Sequence, residues 1–106
     1  MNKVEIMGRL TKDVEIQKSK SSVDYARFTL AVGRKGEKEK TDFIECIAFG
    51  KLAETLVKYV EKGNRLIVTG SININDYEDK DGNKRNSITI IVDDFYFVDY
   101  KKELNN

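Results

Sequence analysis

Phe43, Phe49 and Tyr77 are the residues of this chain whose type and placement could do chemistry, because each falls on the outward parity of an extended segment. Arg27 lies on the outward parity of a neighbouring segment. Flat apolar rings beside cations suit a ligand that is itself flat and anionic. Nucleic-acid bases stack on aromatic rings at about 1–3 kcal/mol each, while lysines and arginines follow the phosphates. Further cations could form such a track. Lys51, Lys62 and Arg65 flank the helical segment, and Arg9, Arg34, Lys35, Lys84 and Arg85 sit near strand ends or on hairpins. A subunit interface would explain two exposed phenylalanines equally well, and a solvated surface role fits any one lysine.

Other chemistries lack their parts. The 106 residues include no histidine and one cysteine, Cys46, so the commonest general base, the commonest metal ligand and an internal disulfide are all missing. Asp76, Glu78, Asp79 and Asp81 crowd into one turn beside lysines, where they read as solvated turn residues. No glycine-rich phosphate loop, nucleophile elbow or metal-ligand spacing occurs. The expectation is a non-enzyme with no metal and no cofactor.

These residues need elements to hold them. Asp42 to Phe49 alternates, with Phe43, Glu45, Ile47 and Phe49 on one face and Ile44, Cys46 and Ala48 on the other. At Gly50 the period changes, and Leu52, Leu56, Val57 and Val60 recur at helical spacing, with Gly63 placed as the permissive residue past the helix end. Before this unit, Lys3 to Leu10 reads as a strand with a bend or bulge at Gly8. A short extended piece spans Val14 to Gln17, and Val23 to Val32 forms a hairpin with the strand at Asp42 across the charged tip Gly33–Lys40. After it, Arg65 to Tyr77 alternates, with Leu66, Val68, Gly70, Ile72 and Ile74 assigned to the core side. Asp79 to Asn83 turns the chain, which returns through Ile88, Ile90 and Val92 to a last aromatic strand from Phe95 to Tyr100.

The order predicts an all-β protein with its one α-helix between the third and fourth of five long strands, a long hairpin arm, and a single domain over residues 1–106. A five-stranded β-barrel of the oligonucleotide-binding (OB-fold) kind fits best, with a meander sheet and packed helix as the rival. Net charge is only +1, yet 14 basic residues face 10 acidic ones up to Arg65, against 5 and 8 beyond it. Attraction for phosphate should come mainly from the first two thirds of the chain. No apolar run approaches the roughly 18 residues that span a bilayer. With no signal-peptide pattern, a cytoplasmic protein is expected.

The segments NKVEIMGRLTKDVEI, ARFTLAV, DFIECIAFGKLAETLVKYVEKGNRLIVTGSI and NDYEDKDGNKR, in that order, resemble the bacterial single-stranded DNA-binding proteins over nearly the whole chain. The resemblance implies an OB-fold homo-oligomer, tetrameric by preference and dimeric as the other option. Such a protein coats single-stranded DNA in replication, recombination and repair. It also implies stacking roles for Phe43, Phe49 and Tyr77, and phosphate contacts for Lys3, Lys51 and Lys62. The departures are specific. Glu45 lies between the two phenylalanines, Asn73, Asn75 and Asp76 stand at arm positions that are often basic, and Ile44 replaces a residue of the family's subunit contact. The closing KKELNN is unlike the family's acidic, phenylalanine-bearing tip, so tail-mediated protein recruitment is not expected. It reads as a trimmed core or as a short phage or mobile-element variant. Two other readings remain: an OB-fold assembly protein of the primosome type using the same face for protein partners, and an RNA binder of cold-shock type, whose aromatic motifs are missing.

Overall fold

A computed structural model describes residues 1–36 and 39–101. The centre of the charged tip and the last five residues of KKELNN lie outside the described residues. Seven elements follow one another: β1 (Val4–Leu10), β2 (Gln17–Lys18), β3 (Asp24–Gly33), β4 (Thr41–Phe49), α1 (Lys51–Tyr59), β5 (Arg65–Glu78) and β6 (Lys84–Phe97). The five long strands close into a ring. β3 pairs antiparallel with β4, β4 parallel with β6, β6 antiparallel with β5, and β5 antiparallel with β1. β1 then completes the circuit against β3 through Arg9↔Ala31 and Leu10↔Leu30.

Closure gives each strand an inner and an outer face, and the alternation of apolar residues decides which is which. Leu10, Ala26, Phe28, Leu30, Cys46, Ala48, Leu66, Val68, Ile90 and Val92 fill the interior. α1 contributes Ala53, Leu56 and Val60 to the same core. A nine-residue helix is marginal alone in water, so this buried stripe stabilises it more than propensity does. Fully burying Leu56 is worth about 1.5–3 kcal/mol. No side chain caps its N-terminus; Gly50, at φ 61°, makes the corner from strand to helix in a region where other residues are strained.

Four local expectations are corrected. Gly63 does not end α1, which stops at Tyr59; it lies in the turn before β5, where its N–H donates to the Leu10 carbonyl at 2.9 Å. Gly8 stays in register with Leu66, and the break in register falls instead between Thr69 and Gly70. Gly8 is needed for close approach, since a Cβ there would lie 2.8 Å from the Ala31 carbonyl oxygen. The last strand is not separate: β6 runs unbroken from Lys84 to Phe97, and Tyr100 lies beyond it. Ile72 and Ile74 keep the inward parity but are 40% and 59% exposed. β1 stops at Val4, opposite Gly70, and leaves Ile72 uncovered on that side, while at Ile74 β5 and β6 have passed the last β4 pairing and project as a two-stranded arm.

Candidate nucleic-acid interface

The β3–β4 register builds the centre of the outer face. Tyr25 lies opposite Phe49, Arg27 opposite Ile47, Thr29 opposite Glu45, and Ala31 opposite Phe43. Phe43 is 68% exposed because its cross-strand neighbour is only a methyl group, and Phe49 is 45% exposed. Six residues of extended chain separate the two rings, about 20 Å, so they can serve non-adjacent bases but not consecutive ones. Ile47 shares their face yet is buried, with Arg27 and Ile91 beside it in the flanking strands.

Tyr25 is the aromatic that sequence reasoning left out of the site. Its ring centroid lies 6.3 Å from that of Phe49 at a 42° tilt, so the two form one bent platform. Its outward parity was the available signal. Tyr77, half exposed, stands on the arm opposite Arg85, where an open recess of about 390 Å³ is lined by both residues with Asp76, Glu78, Lys84 and Asn86.

The cations divide into two groups. Lys3, Lys35, Lys51, Lys62 and Lys84 are exposed and form no ion pair among the described residues. The arginines are engaged. Arg34 grips both carboxylate oxygens of Asp42 at 3.0–3.1 Å, Arg65 does the same to Asp99 at 2.9–3.1 Å, and Arg85 Nε donates to Asp79 Oδ2 at 2.9 Å. Arg27 Nη1 stands 3.7 Å from Glu45 Oε1, and Arg9 Nη1 donates to the Gly63 carbonyl at 2.9 Å. These guanidinium groups hold the carboxyls of Asp42, Asp79 and Asp99 below the usual range, Asp99 down to about 2.

Register also gathers residues far apart in sequence. Arg65 pairs across from Arg9, Arg9 from Ala31, and Ala31 from Phe43, which puts two guanidinium groups in the row of the most exposed ring. Lys51 begins α1 two residues beyond Phe49, and Lys62 follows the same helix. Lys84 and Arg85 sit at the far end of the arm, and Lys3 immediately precedes β1.

Catalytic or metal chemistry finds little here. No cluster of three or more histidine, cysteine or carboxylate groups able to hold a metal occurs among the described residues. Burial pushes the Cys46 thiol up to about 12, far from the thiolate that reactivity needs. No helix among the described residues is long and apolar enough to cross a membrane.

Going round the ring, the long strands follow the order first, second, third, fifth, fourth, with a helix between the third and fourth and aromatics outside; this is an oligonucleotide-binding fold. The chain belongs to the single-strand binding protein family, whose sequence model matches residues 1–98. It is 48% identical over 100 residues to a single-stranded DNA-binding protein of Clostridium perfringens, covering 93% of this chain and 67% of that one. It is 38% identical over 110 residues to single-stranded DNA-binding protein 3 of Clostridium acetobutylicum, covering 100% of this chain and 76% of the relative. With single-stranded DNA-binding protein 1 of Streptococcus pyogenes the identity is 36% over 111 residues, covering 100% and 85%. Proteins of this family bind DNA and are not enzymes.

Proposed function

We propose that this chain binds single-stranded DNA without sequence preference and protects it during replication, recombination and repair. The observation that carries this reading is the outer β3–β4 face, where Phe43 and Phe49 stand exposed along one strand pair and the half-buried Tyr25 extends the Phe49 ring into a platform. Bases stack on these rings and on Tyr77. Lys3, Lys51, Lys62, Lys35 and Lys84 meet phosphates directly, while Arg9, Arg27, Arg34, Arg65 and Arg85 do so in competition with their present partners. The place of action is the bacterial cytoplasm, where such DNA is found. Oligo(dT) titrated against intrinsic tyrosine fluorescence tests the reading. Quenching is expected, since Tyr25 lies on the face and Tyr77 on the arm; an RNA oligomer that competed better than DNA, or no binding at all, would overturn it.

The working form we propose is a homo-oligomer, a tetramer by preference. Supporting it, Val4, Ile6, Ile44, Ile72, Ile88 and Ile90, with Phe43 and Asp42 at the same opening, border a largely apolar cavity of about 330 Å³ at the root of the arm. A solvent-facing apolar surface of this kind is what subunit contacts cover. Ile44 and Phe43, of opposite parity on β4, both border it, so a subunit seated there would lie beside the most exposed stacking ring. A mass measurement in solution, with and without long oligo(dT), decides it.

A further inference from the structure

We propose that Glu45 is a built-in competitor for DNA phosphate at Arg27, and so sets both the affinity and the salt response of the face; this rests on the DNA-binding reading above. Between Phe49 and Phe43 the outward positions of β3 and β4 are Tyr25, Arg27, Thr29 and Ala31 on one strand and Ile47 and Glu45 on the other. Arg27 is the one cation of that set, and Glu45 is the one anion. They are diagonal neighbours, since Arg27 lies opposite Ile47 and Glu45 sits two residues away on the same face.

The remaining neighbours of Glu45 are neutral. Thr29 flanks it on β3 and Thr89 on β6. Its one ion pair among the described residues is with Arg27, at 3.7 Å and with both side chains more than half exposed. A pair so long and so wet is weak, about 0.2–1 kcal/mol. A phosphate entering between the rings therefore takes Arg27 from Glu45. The carboxylate it displaces stays within one rung of the new anion and repels it. Arg27 thus contributes less than a free arginine would, and the strand is released more readily than the number of aromatics implies.

The test is a double-mutant cycle of Glu45→Gln, Arg27→Gln and the two together, each titrated with oligo(dT) by tyrosine quenching over a salt series. Glu45→Gln should bind about two- to fivefold tighter, the size of one exposed ion pair. Its plot of log affinity against log salt should steepen by a fraction of the roughly 0.7 that one full single-strand contact contributes. In the Arg27→Gln background the same change should give less than half of the gain, the part that comes from relieved repulsion alone. An unaltered Glu45→Gln protein overturns the proposal, and so does a gain that persists in full without Arg27. Failure of the parent itself to bind would instead overturn the DNA-binding reading, and the proposal with it.

Discussion

Arg65 holds Asp99 through three hydrogen bonds: its backbone N–H and its Nε both donate to Oδ2 at 2.9 Å, and Nη2 donates to Oδ1 at 3.1 Å. The Val98 and Asp99 N–H groups return bonds to the Arg65 carbonyl at 3.3 and 3.2 Å. The first residue of β5 is thereby fastened to the chain just after β6. Arg9 lies directly across from Arg65, and like charges so placed repel; Asp99 offsets that repulsion.

Acid should loosen this clasp. The Asp99 carboxyl lies at about 2 against an ordinary 3.8, held down first by the Arg65 side-chain hydrogen bonds. A depressed carboxyl contributes stability that is complete above the unfolded value and disappears as pH falls through the folded one. Asp24, Asp42 and Asp79 are lowered too, by Lys18, Arg34 and Arg85. Circular dichroism should therefore show stability holding down to about pH 4 and falling between there and pH 2. Asp99→Asn should be less stable at pH 7 and lose less on acidification. An acid profile identical to the parent's would remove Asp99 from the account.

Replacing Phe43 and Phe49 with alanine should cost about 1–3 kcal/mol of oligo(dT) affinity per ring. Both rings stand outside the core, so the thermal midpoint should stay within a few degrees of the parent's. Tyr25→Leu should weaken binding less than Phe49→Ala, by removing half of one platform. Undiminished binding by the Phe43/Phe49 double variant would refute stacking on this strand.

Gly70 and Gly33 make a contrasting pair. A Cβ on Gly70 would fall 2.0 Å from the Ile91 carbonyl oxygen, and one on Gly33 meets nothing within 4 Å. Gly70→Ala should destabilise the protein by about 1–3 kcal/mol or more, because backbone must move. Gly33→Ala should be close to neutral in the same urea titration. Equal midpoints for the two would show that the arm root yields without cost.

Ile72→Glu tests the subunit contact. The side chain is already exposed in the isolated chain, so the fold should survive the charge. Buried in an interface, an unpaired carboxylate is costly, and the measured mass should fall to that of a smaller assembly. An unchanged mass would place the contact elsewhere.

Much of the fold was legible because it depends on local period. The change at Gly50 from two-residue to helical spacing marked the end of β4 and the start of α1 within a residue. The outward parity of Phe43, Phe49 and Tyr77 was equally local. What was hidden depends on register between strands. Parity assigns Ile72 and Ile74 to a face but says nothing of what covers it, and here β1 has already ended. The pairing of Arg65 with Asp99, 34 residues on, and the Arg27–Glu45 diagonal likewise exist only once the strands are aligned.

The arm beyond Gly70 pairs rung by rung from Ser71↔Ile91 to Glu78↔Lys84, with no second slip in register. Side chains on such a ribbon return to the same face every two residues, about 7 Å. Its length can therefore change only in paired steps of two residues per strand if Tyr77 is to keep facing outward. Beyond Asn73↔Thr89, the last rung that β4 also shares, the arm can lengthen or shorten in such increments while the ring that folds the chain is left untouched.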